Sequence, residues 1–273
     1  MSKSSNNLIG VFDSGLGGLS VLKKFLSDVP GYHYIYLGDN ARVPYGNKSP
    51  EIIYNYTIQA VEFLFKQDCH LIIIACNTAS AHALRRLQQE WLPKHYPNRR
   101  VLGVIKPLAE STASHNFKKI GIIGTTATIN SKAYLREIHE LNPKLKVYSQ
   151  AAPLLVPLVE DGRINNPETK LILQSYLNPL QNKKIDTLIL ACTHYPYLEN
   201  IIKKIMGRSV NVPDTGKIIA ASLKDYLSRH PELKITKTKT SCDFYTTDNS
   251  QIFKTQAEKF LKQKIKSVKQ IKL

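Results

Sequence analysis

Cysteine is scarce in this sequence and occurs in none of the spacings that hold metals or build disulfide frameworks. Only four cysteines occur in 273 residues, and no CxxC, HExxH or paired Cys/His cluster is present. Small secreted domains stabilised by disulfides carry more cysteines for their length, and structural zinc sites need clustered ligands. We therefore expect reduced thiols, no disulfide framework and no metal.

Long hydrophobic runs are also missing. The longest aliphatic run, Leu71–Ile74 followed by Ala75, is far shorter than the roughly 20 residues that cross a bilayer. The first residues lack a basic stretch followed by an apolar one, so the sequence indicates no secretory signal. We expect a cytoplasmic protein with no membrane partner. About seven residues precede the first strand candidate, so we also expect no N-terminal extension.

Acidic residues are few: 21 Asp and Glu stand against 38 Lys and Arg, a formal net charge of +17. Segment 234–273 holds ten lysines and only three carboxylates. Such a surface can bind nucleic acid, but the segment contains no arginine, the usual base reader. Its apolar residues recur at helical spacing from Phe253 to Val268. We therefore interpret the lysines as the solvated face of a C-terminal helix and expect no nucleic-acid partner.

Apolar strand patterns and helical patterns alternate along the chain. The strand candidates are Leu8–Phe12, Tyr34–Leu37, Leu71–Ala75, Val101–Ile105, Ile120–Ile123, Lys146–Ser149, Thr187–Ala191 and Val210–Val212. The helical patterns are Leu19–Asp28, Pro50–Lys66, Ala81–Trp91, Ser131–Leu141, Pro167–Leu180, Glu199–Met206 and Lys217–Leu227. Strands that are apolar on both faces and alternate with helices are typical of a parallel sheet covered on both sides. The sequence therefore predicts an α/β fold with doubly wound parallel sheets.

Two of the strand candidates end in the same way. In "LIIIACNTASA" the aliphatic run leads into Cys76, and in "TLILACTHYP" it leads into Cys192. The repeat predicts two pseudo-symmetric domains that face each other across a cleft. We expect residues 1–103 with 213–273 in the first domain and residues 104–212 in the second.

The two strand-end cysteines lie where open parallel sheets bind ligands. Each precedes a possible helix start, whose free N–H groups favour anions. We expect this field to lower the pKa of both thiols from about 8.5 toward neutrality. A buried structural cysteine is the ordinary alternative for either one alone. The polar residues behind both, Asn77, Thr78 and Thr193, favour a site.

Other strand ends carry polar motifs as well. "FDSGLGG", residues 12–18, is a glycine turn that lacks the GxGxxG spacing of dinucleotide sites. Its Asp13 would repel a phosphate and suits an ammonium group or a catalytic proton, unless it only caps a helix. "GDNARVPYG", residues 38–46, offers Tyr45 as a hydroxyl donor or is an ordinary turn. His194 can tune proton transfer beside Cys192 or lie at the surface.

Two thiols at equivalent positions of facing domains suit a reaction with two opposed proton-transfer groups. Racemisation is such a reaction, because one base removes the α-proton and an acid on the other face returns one. The motifs "GVFDSGLGG", "GDNARVPYG", "ACNTASA", "LVPLVE" and "ACTHYP" occur in that order. Through these motifs, which extend from Ile9 to about Tyr197, the chain resembles the glutamate racemases of the cofactor-independent aspartate/glutamate racemase superfamily.

The resemblance implies a site between the domains, no cofactor, glutamate as substrate and a homodimer. It implies that Cys76 takes the α-proton of D-glutamate and Cys192 that of L-glutamate, with Asp13 and His194 assisting. The residues implied to line the substrate pocket are Asp13, Ser14, Tyr45, Gly46, Asn77, Thr78, Thr193 and His194. Glu160 matches a carboxylate near the site. The implied product, D-glutamate, serves peptidoglycan synthesis.

Three other functions stay open on the sequence alone. A sister racemase acting on aspartate would share both thiols. A basic nucleic-acid-binding protein would account for the charge. A thiol redox enzyme would join Cys76 and Cys192 in a disulfide, which their place on opposed domains disfavours.

Overall fold

Two parallel β-sheets form the framework of the computed structural model, which describes residues 8–273. The strands are β1 Leu8–Asp13, β2 His33–Gly38, β3 Cys69–Ile74, β4 Arg100–Gly103, β5 Lys119–Gly124, β6 Lys146–Ala151, β7 Thr187–Ala191, β8 Ser241–Thr246 and β9 Val268–Gln270. The larger sheet has the order β4-β3-β1-β2-β8-β9 and the smaller one β6-β5-β7. Every pairing is parallel, so the predicted α/β fold class is confirmed. Expectations about the first seven residues lie outside the described range.

Helices follow most strands and cover the sheets. They are α1 Leu19–Asp28, α2 Pro50–Lys66, α3 Asn77–His82, α4 Leu84–Arg86, α5 Leu92–His95, α6 Ile105–Ala113, α7 Thr126–Asn130, α8 Ala133–Leu141, α9 Leu155–Glu160, α10 Pro167–Asn182, α11 Glu199–Met206, α12 Thr215–Arg229 and α13 Ser250–Leu261. Helix α2 shows the local logic, because Ser49 caps the amide of Ile52 and Pro50 occupies the first helical position. Among residues 8–273, no helix is both long and apolar enough to span a bilayer.

One apolar core joins the two sheets. It contains Ile9 and Val11 from β1 together with Ile122 from β5 and Ile189 from β7. A second cluster packs on the outer side of the larger sheet, and a third packs on the outer side of the smaller sheet. Because side chains from both sheets share a core, close packing sets the position of one sheet relative to the other. The division at residues 103/104 and 212/213 stays a prediction.

The C-terminal segment differs from the sequence-based expectation. Helix α13 ends at Leu261, because Lys262 adopts a left-handed conformation, and Val268 begins a strand. The prediction of one helix from Phe253 to Val268 was therefore wrong. Strand β8 was missed because its first half is largely exposed, which breaks the continuous apolar run typical of a parallel strand. β8 pairs with β2, and β9 extends the same sheet.

Segment 210–212 was predicted as a strand and is not one. It forms only an isolated bridge between Asn211 and Thr187 at the start of β7. Val212 is nevertheless buried in the outer core of the smaller sheet. The apolar pattern thus marked burial correctly and strand structure wrongly.

Phe253 on α13 provides a test of how the C-terminal segment contributes to stability. Its side chain is 2% exposed, whereas the neighbouring Ile252 is 60% exposed. We expect Phe253→Ala to lower the free energy of unfolding in urea by about 3–5 kcal/mol. The control Ile252→Ala should change it by less than about 0.5 kcal/mol. Equal losses in the two variants would contradict this packing.

Candidate active site

The carboxyl ends of β1, β3, β5 and β7 surround one cavity of about 260 Å³. Nine of the residues singled out from the sequence line it: Ser14, Tyr45, Gly46, Cys76, Asn77, Thr78, Cys192, Thr193 and His194. Both thiols therefore lie on one cavity, each at the end of a strand from a different sheet. Asp13 and Glu160 lie behind the cavity wall and reach it through other side chains.

Cys76 is the N-cap of the short helix α3. Its sulfur accepts a hydrogen bond from the amide of Ala79 at 3.5 Å, and its thiol donates to Ser14 Oγ at 3.4 Å. Burial, followed by the nearby Asp13 carboxylate, raises the pKa of Cys76 to about 12. The expected lowering of the Cys76 pKa was therefore wrong. Two weak hydrogen bonds do not offset the desolvation of a thiolate.

Cys192 belongs to a chain of contacts that leads away from the cavity. Its sulfur lies 3.8 Å from Nδ1 of His194, and the Nε2 of that ring lies 2.9 Å from Oε1 of Glu160. Burial by itself would lower the pKa of His194, but the bonds to Cys192 and Glu160 raise it to about 10. His194 is therefore a buried imidazolium at neutral pH, and Glu160 sets its orientation.

Asp13 joins the two sides of the site. It is fully buried, and one carboxylate oxygen accepts a hydrogen bond from the amide of Gly15 at 3.0 Å. The other oxygen accepts a hydrogen bond of 3.1 Å from the hydroxyl of Thr193, the residue that follows Cys192. Burial is the main cause that raises the pKa of Asp13, and His194 opposes it. A direct contact between Asp13 and a substrate stays a prediction.

Gly17 allows this close approach. A Cβ at this position would lie 2.4 Å from Oγ1 of Thr193 and 2.5 Å from Nδ1 of His194. These distances are far below van der Waals contact, so any side chain would push the turn after β1 away from the segment after β7.

The sequence suggested that the Tyr45 hydroxyl is a donor in the pocket, but in the structure this hydroxyl is bonded elsewhere. It donates to Asp39, a fully buried carboxylate that also accepts from Arg42 Nε at 2.7 Å and from Thr247 Oγ1 at 2.8 Å. Tyr45 nevertheless lines the cavity. Asp39 thus fixes the loop that follows β2.

Sequence reasoning missed the polar residues after β5. Thr125 lines the cavity, and its hydroxyl lies 2.9 Å from that of Thr78 and 2.9 Å from that of Thr128. Thr78 follows β3, so this buried cluster also connects the two sheets. The rule that ligands gather at strand ends would have identified Thr125, because it directly follows β5. The wall residues Pro153 and Leu154 gave no such signal, whereas Val156 and Pro157 belong to the motif "LVPLVE".

Comparison with known proteins identifies the family. Residues 9–223 match the sequence profile of Asp/Glu/hydantoin racemases. The chain belongs to this family. It is 43% identical to a glutamate racemase from Chlorobaculum parvum over 92% of this chain and 91% of that one. Family membership makes the protein an isomerase and favours a racemase over the thiol redox enzyme left open by the sequence.

Solved structures of relatives share the whole fold. A glutamate racemase isoform from Bacillus anthracis, RacE1, superimposes with a TM-score of 0.91 at 36% identity, over 98% of both chains. A glutamate racemase from Francisella tularensis, solved in complex with D-glutamate, gives a TM-score of 0.87 at 36% identity, also over 98% of both chains. The arrangement of two parallel sheets around a cleft is therefore the family fold.

The buried ion pair of His194 with Glu160 predicts a dependence of stability on pH. The folded-state pKa of His194, about 10, lies above the ordinary value of 6.5. The stabilisation is therefore complete below about pH 6.5 and is lost as the pH rises through about 10. Glu160→Gln should reduce this loss, measured as the change in unfolding free energy between these two pH values.

A matched control for that experiment is Glu199→Gln, which removes a carboxylate paired with Lys203 on the surface. This variant should keep the pH dependence of the wild type, because exposed pairs contribute little. Identical profiles for Glu160→Gln and wild type would contradict the assigned role of the His194–Glu160 pair.

Proposed function

We propose that this protein is a glutamate racemase that interconverts L-glutamate and D-glutamate by proton transfer between two cysteines. The observation that carries the proposal is the placement of Cys76 and Cys192 on one small cavity, at strand ends of two different sheets. Supporting it are relatives named glutamate racemase, including one solved with D-glutamate and one, from Escherichia coli, solved with L-glutamate. The product would supply D-glutamate for peptidoglycan synthesis.

In the forward direction Cys192 acts as the base. Its thiolate removes the α-proton of L-glutamate, and the electron pair of the broken C–H bond stays on the substrate as a carbanion. The thiol of Cys76 then delivers its proton to the opposite face, giving D-glutamate and leaving a Cys76 thiolate. The reverse reaction exchanges the roles. The proposed mechanism uses no cofactor. Between turnovers Cys192 must lose the proton it took and Cys76 must regain one from solvent, and Asp13 and His194 assist these transfers.

The electrostatics of the site suit this first half-reaction. A Cys76 pKa of about 12 keeps that thiol protonated at neutral pH, so it is ready to act as the acid. On the other side of the cavity, the His194 imidazolium lies 3.8 Å from the Cys192 sulfur and places a positive charge beside the proposed base. The two thiols thus have different surroundings, Cys76 near a carboxylate and Cys192 beside an imidazole ring.

Hydroxyl and amide groups at strand ends provide the recognition of a small anionic amino acid. Ser14, Asn77, Thr78 and Thr193 all line the cavity, as does Thr125. Hydrogen bonds from such donors to a carboxylate are charge-assisted and stronger than neutral ones. Asp13, behind Thr193, adds the negative charge that favours an ammonium group nearby.

A racemase for aspartate is the closest alternative, and a direct assay separates the two. We expect the purified protein to remove the circular dichroism of L-glutamate and of D-glutamate, and to leave aspartate largely unchanged. Replacement of either catalytic cysteine by Ser should lower turnover of glutamate by at least ~10², since each turnover needs both thiols. Faster racemisation of aspartate than of glutamate would overturn the substrate assignment.

Two features sharpen the cysteine experiment. Enantiomers have equal free energy, so kcat/KM must fall by the same factor in both directions whichever thiol is replaced. The control is Cys242→Ser, since Cys242 lies in β8 and does not line the cavity. It should retain turnover within about twofold. Near-normal activity in Cys76→Ser or Cys192→Ser would contradict the two-thiol mechanism.

The path of the proton is tested with L-glutamate in deuterated water at early reaction times. Cys192 takes protium from the substrate, whereas Cys76 holds deuterium exchanged from solvent. We expect D-glutamate to be almost fully labelled at the α-carbon and the remaining L-glutamate to be almost unlabelled, because the protium on Cys192 returns to the carbanion faster than it exchanges with solvent. D-glutamate as the starting material should give the mirror result.

A single base serving both faces predicts a different labelling pattern. It would place similar amounts of deuterium in both pools, or return protium to the product. Either pattern at early times would rule out opposed thiols while leaving the racemase activity itself in place. The expected cytoplasmic location and homodimer stay predictions.

A further inference from the structure

Tyr134 makes a buried contact with a cavity residue from the opposite side of the cleft. It lies on α8, which follows β5, and its side chain is 3% exposed. Its hydroxyl donates a hydrogen bond of 2.6 Å to Oδ1 of Asn77. Asn77 is the first residue of α3, directly behind Cys76. The bond therefore links the smaller sheet to the residue that follows one of the two thiols.

The carboxamide of Asn77 has an acceptor at one end and two donors at the other. Tyr134 occupies the acceptor, Oδ1. Within the described part of the chain, no hydrogen bond uses the Nδ2 group, and Nδ2 is not among the buried atoms that lack a partner. Since Asn77 lines the cavity, the two N–H groups of Nδ2 are available to donate to a ligand there.

We propose that Tyr134 is a positioning residue that fixes the amide of Asn77, so that Nδ2 donates to a carboxylate oxygen of the substrate. This inference rests on the proposed function. Asn77 touches the substrate, and Tyr134 acts only through it. The tyrosine thereby makes this part of the cavity favour a ligand group that accepts hydrogen bonds and disfavour one that donates them.

The choice of tyrosine follows from the geometry. A phenol that is buried beside Cys192 has its pKa raised, by burial first and by that thiol second, so it stays a protonated donor. A donor at this place holds Oδ1. In a rotated amide, Nδ2 would donate to the phenol oxygen, and the buried hydroxyl hydrogen of Tyr134 would lose its acceptor. Without the hydroxyl, the amide can rotate and turn its oxygen toward the substrate carboxylate.

The first test compares two tyrosines that each lose one buried hydroxyl. Tyr134→Phe should raise the KM for both glutamate enantiomers by about tenfold and change kcat by less than about threefold. The control Tyr34→Phe removes a hydroxyl that is equally buried and donates to the carbonyl of Val29 at 2.7 Å, far from the cavity. It should leave KM unchanged. A KM that is equally unaffected in both variants would overturn the proposal.

A double-mutant cycle separates positioning from a merely structural role. If Tyr134 acts through Asn77, then Tyr134→Phe should raise KM in the wild type and add little to the KM of Asn77→Ala. Independent, multiplying effects on KM would show that Tyr134 acts by another route and would overturn the proposal. Melting temperatures of all four proteins are measured alongside, because a structural role alone would lower them without moving KM.

Asn77→Asp provides a variant that keeps the bond between the two sheets. Its carboxylate still accepts from Tyr134 but presents an oxygen instead of Nδ2 to the cavity. We expect KM to rise more than about a hundredfold, because two carboxylates then face each other. A KM within about threefold of wild type would overturn the proposal. Wild-type protein that fails to racemise glutamate would instead count against the proposed function.

Discussion

The buried carboxylate of Asp13 is the interaction on which the rest of the site depends. It accepts one hydrogen bond from the turn that follows β1 and one from Thr193, which follows β7. The strand ends of two separate sheets are thereby held together at hydrogen-bond distance. Gly17 permits this contact, since a Cβ there would overlap Thr193 and His194. This junction and the shared apolar core together keep the two thiols on one cavity.

Burial controls the chemistry of the site as strongly as it controls the geometry. The thiol of Cys76 has its pKa raised by desolvation, and the nearby carboxylate of Asp13 adds to the effect. His194 shows the opposite balance, since its bonds to Cys192 and Glu160 outweigh the desolvation of its charged form. The cleft therefore holds one buried, protonated thiol and one buried thiol beside an imidazolium, although both cysteines lie at strand ends.

Local sequence patterns predicted most of the framework correctly. The helices Leu19–Asp28, Pro50–Lys66 and Glu199–Met206 have the bounds that their periodicity indicated. Strand β7 also begins and ends as expected. The failures share a physical cause. Strand β8 is half exposed, and segment 210–212 is partly buried but forms only an isolated bridge to β7. Burial and strand structure, which usually coincide in a parallel sheet, are therefore separated at both places.

The sequence indicated most of the residues that line the candidate site, but it did not indicate which side chains bond to each other. The repeated Ala-Cys strand end identified both thiols and the polar residues behind them, because the chemistry of a strand end is local to the sequence. The direction of the Tyr45 hydroxyl was not predictable, since it depends on Asp39 and Thr247, which lies about 200 residues later in the chain. Thr125 was missed although the same strand-end rule applies to it.

The sequence by itself determined the alternation of strands and helices, the two thiols at strand ends and the family to which the chain belongs. These follow from short-range periodicity and from motifs whose residues lie close together. Only the tertiary structure decided the protonation state of Cys76, the hydrogen bond from Tyr134 to Asn77 and the connection of His194 to Glu160. Each of these depends on groups brought together from distant parts of the chain, where desolvation and a few hydrogen bonds set the balance.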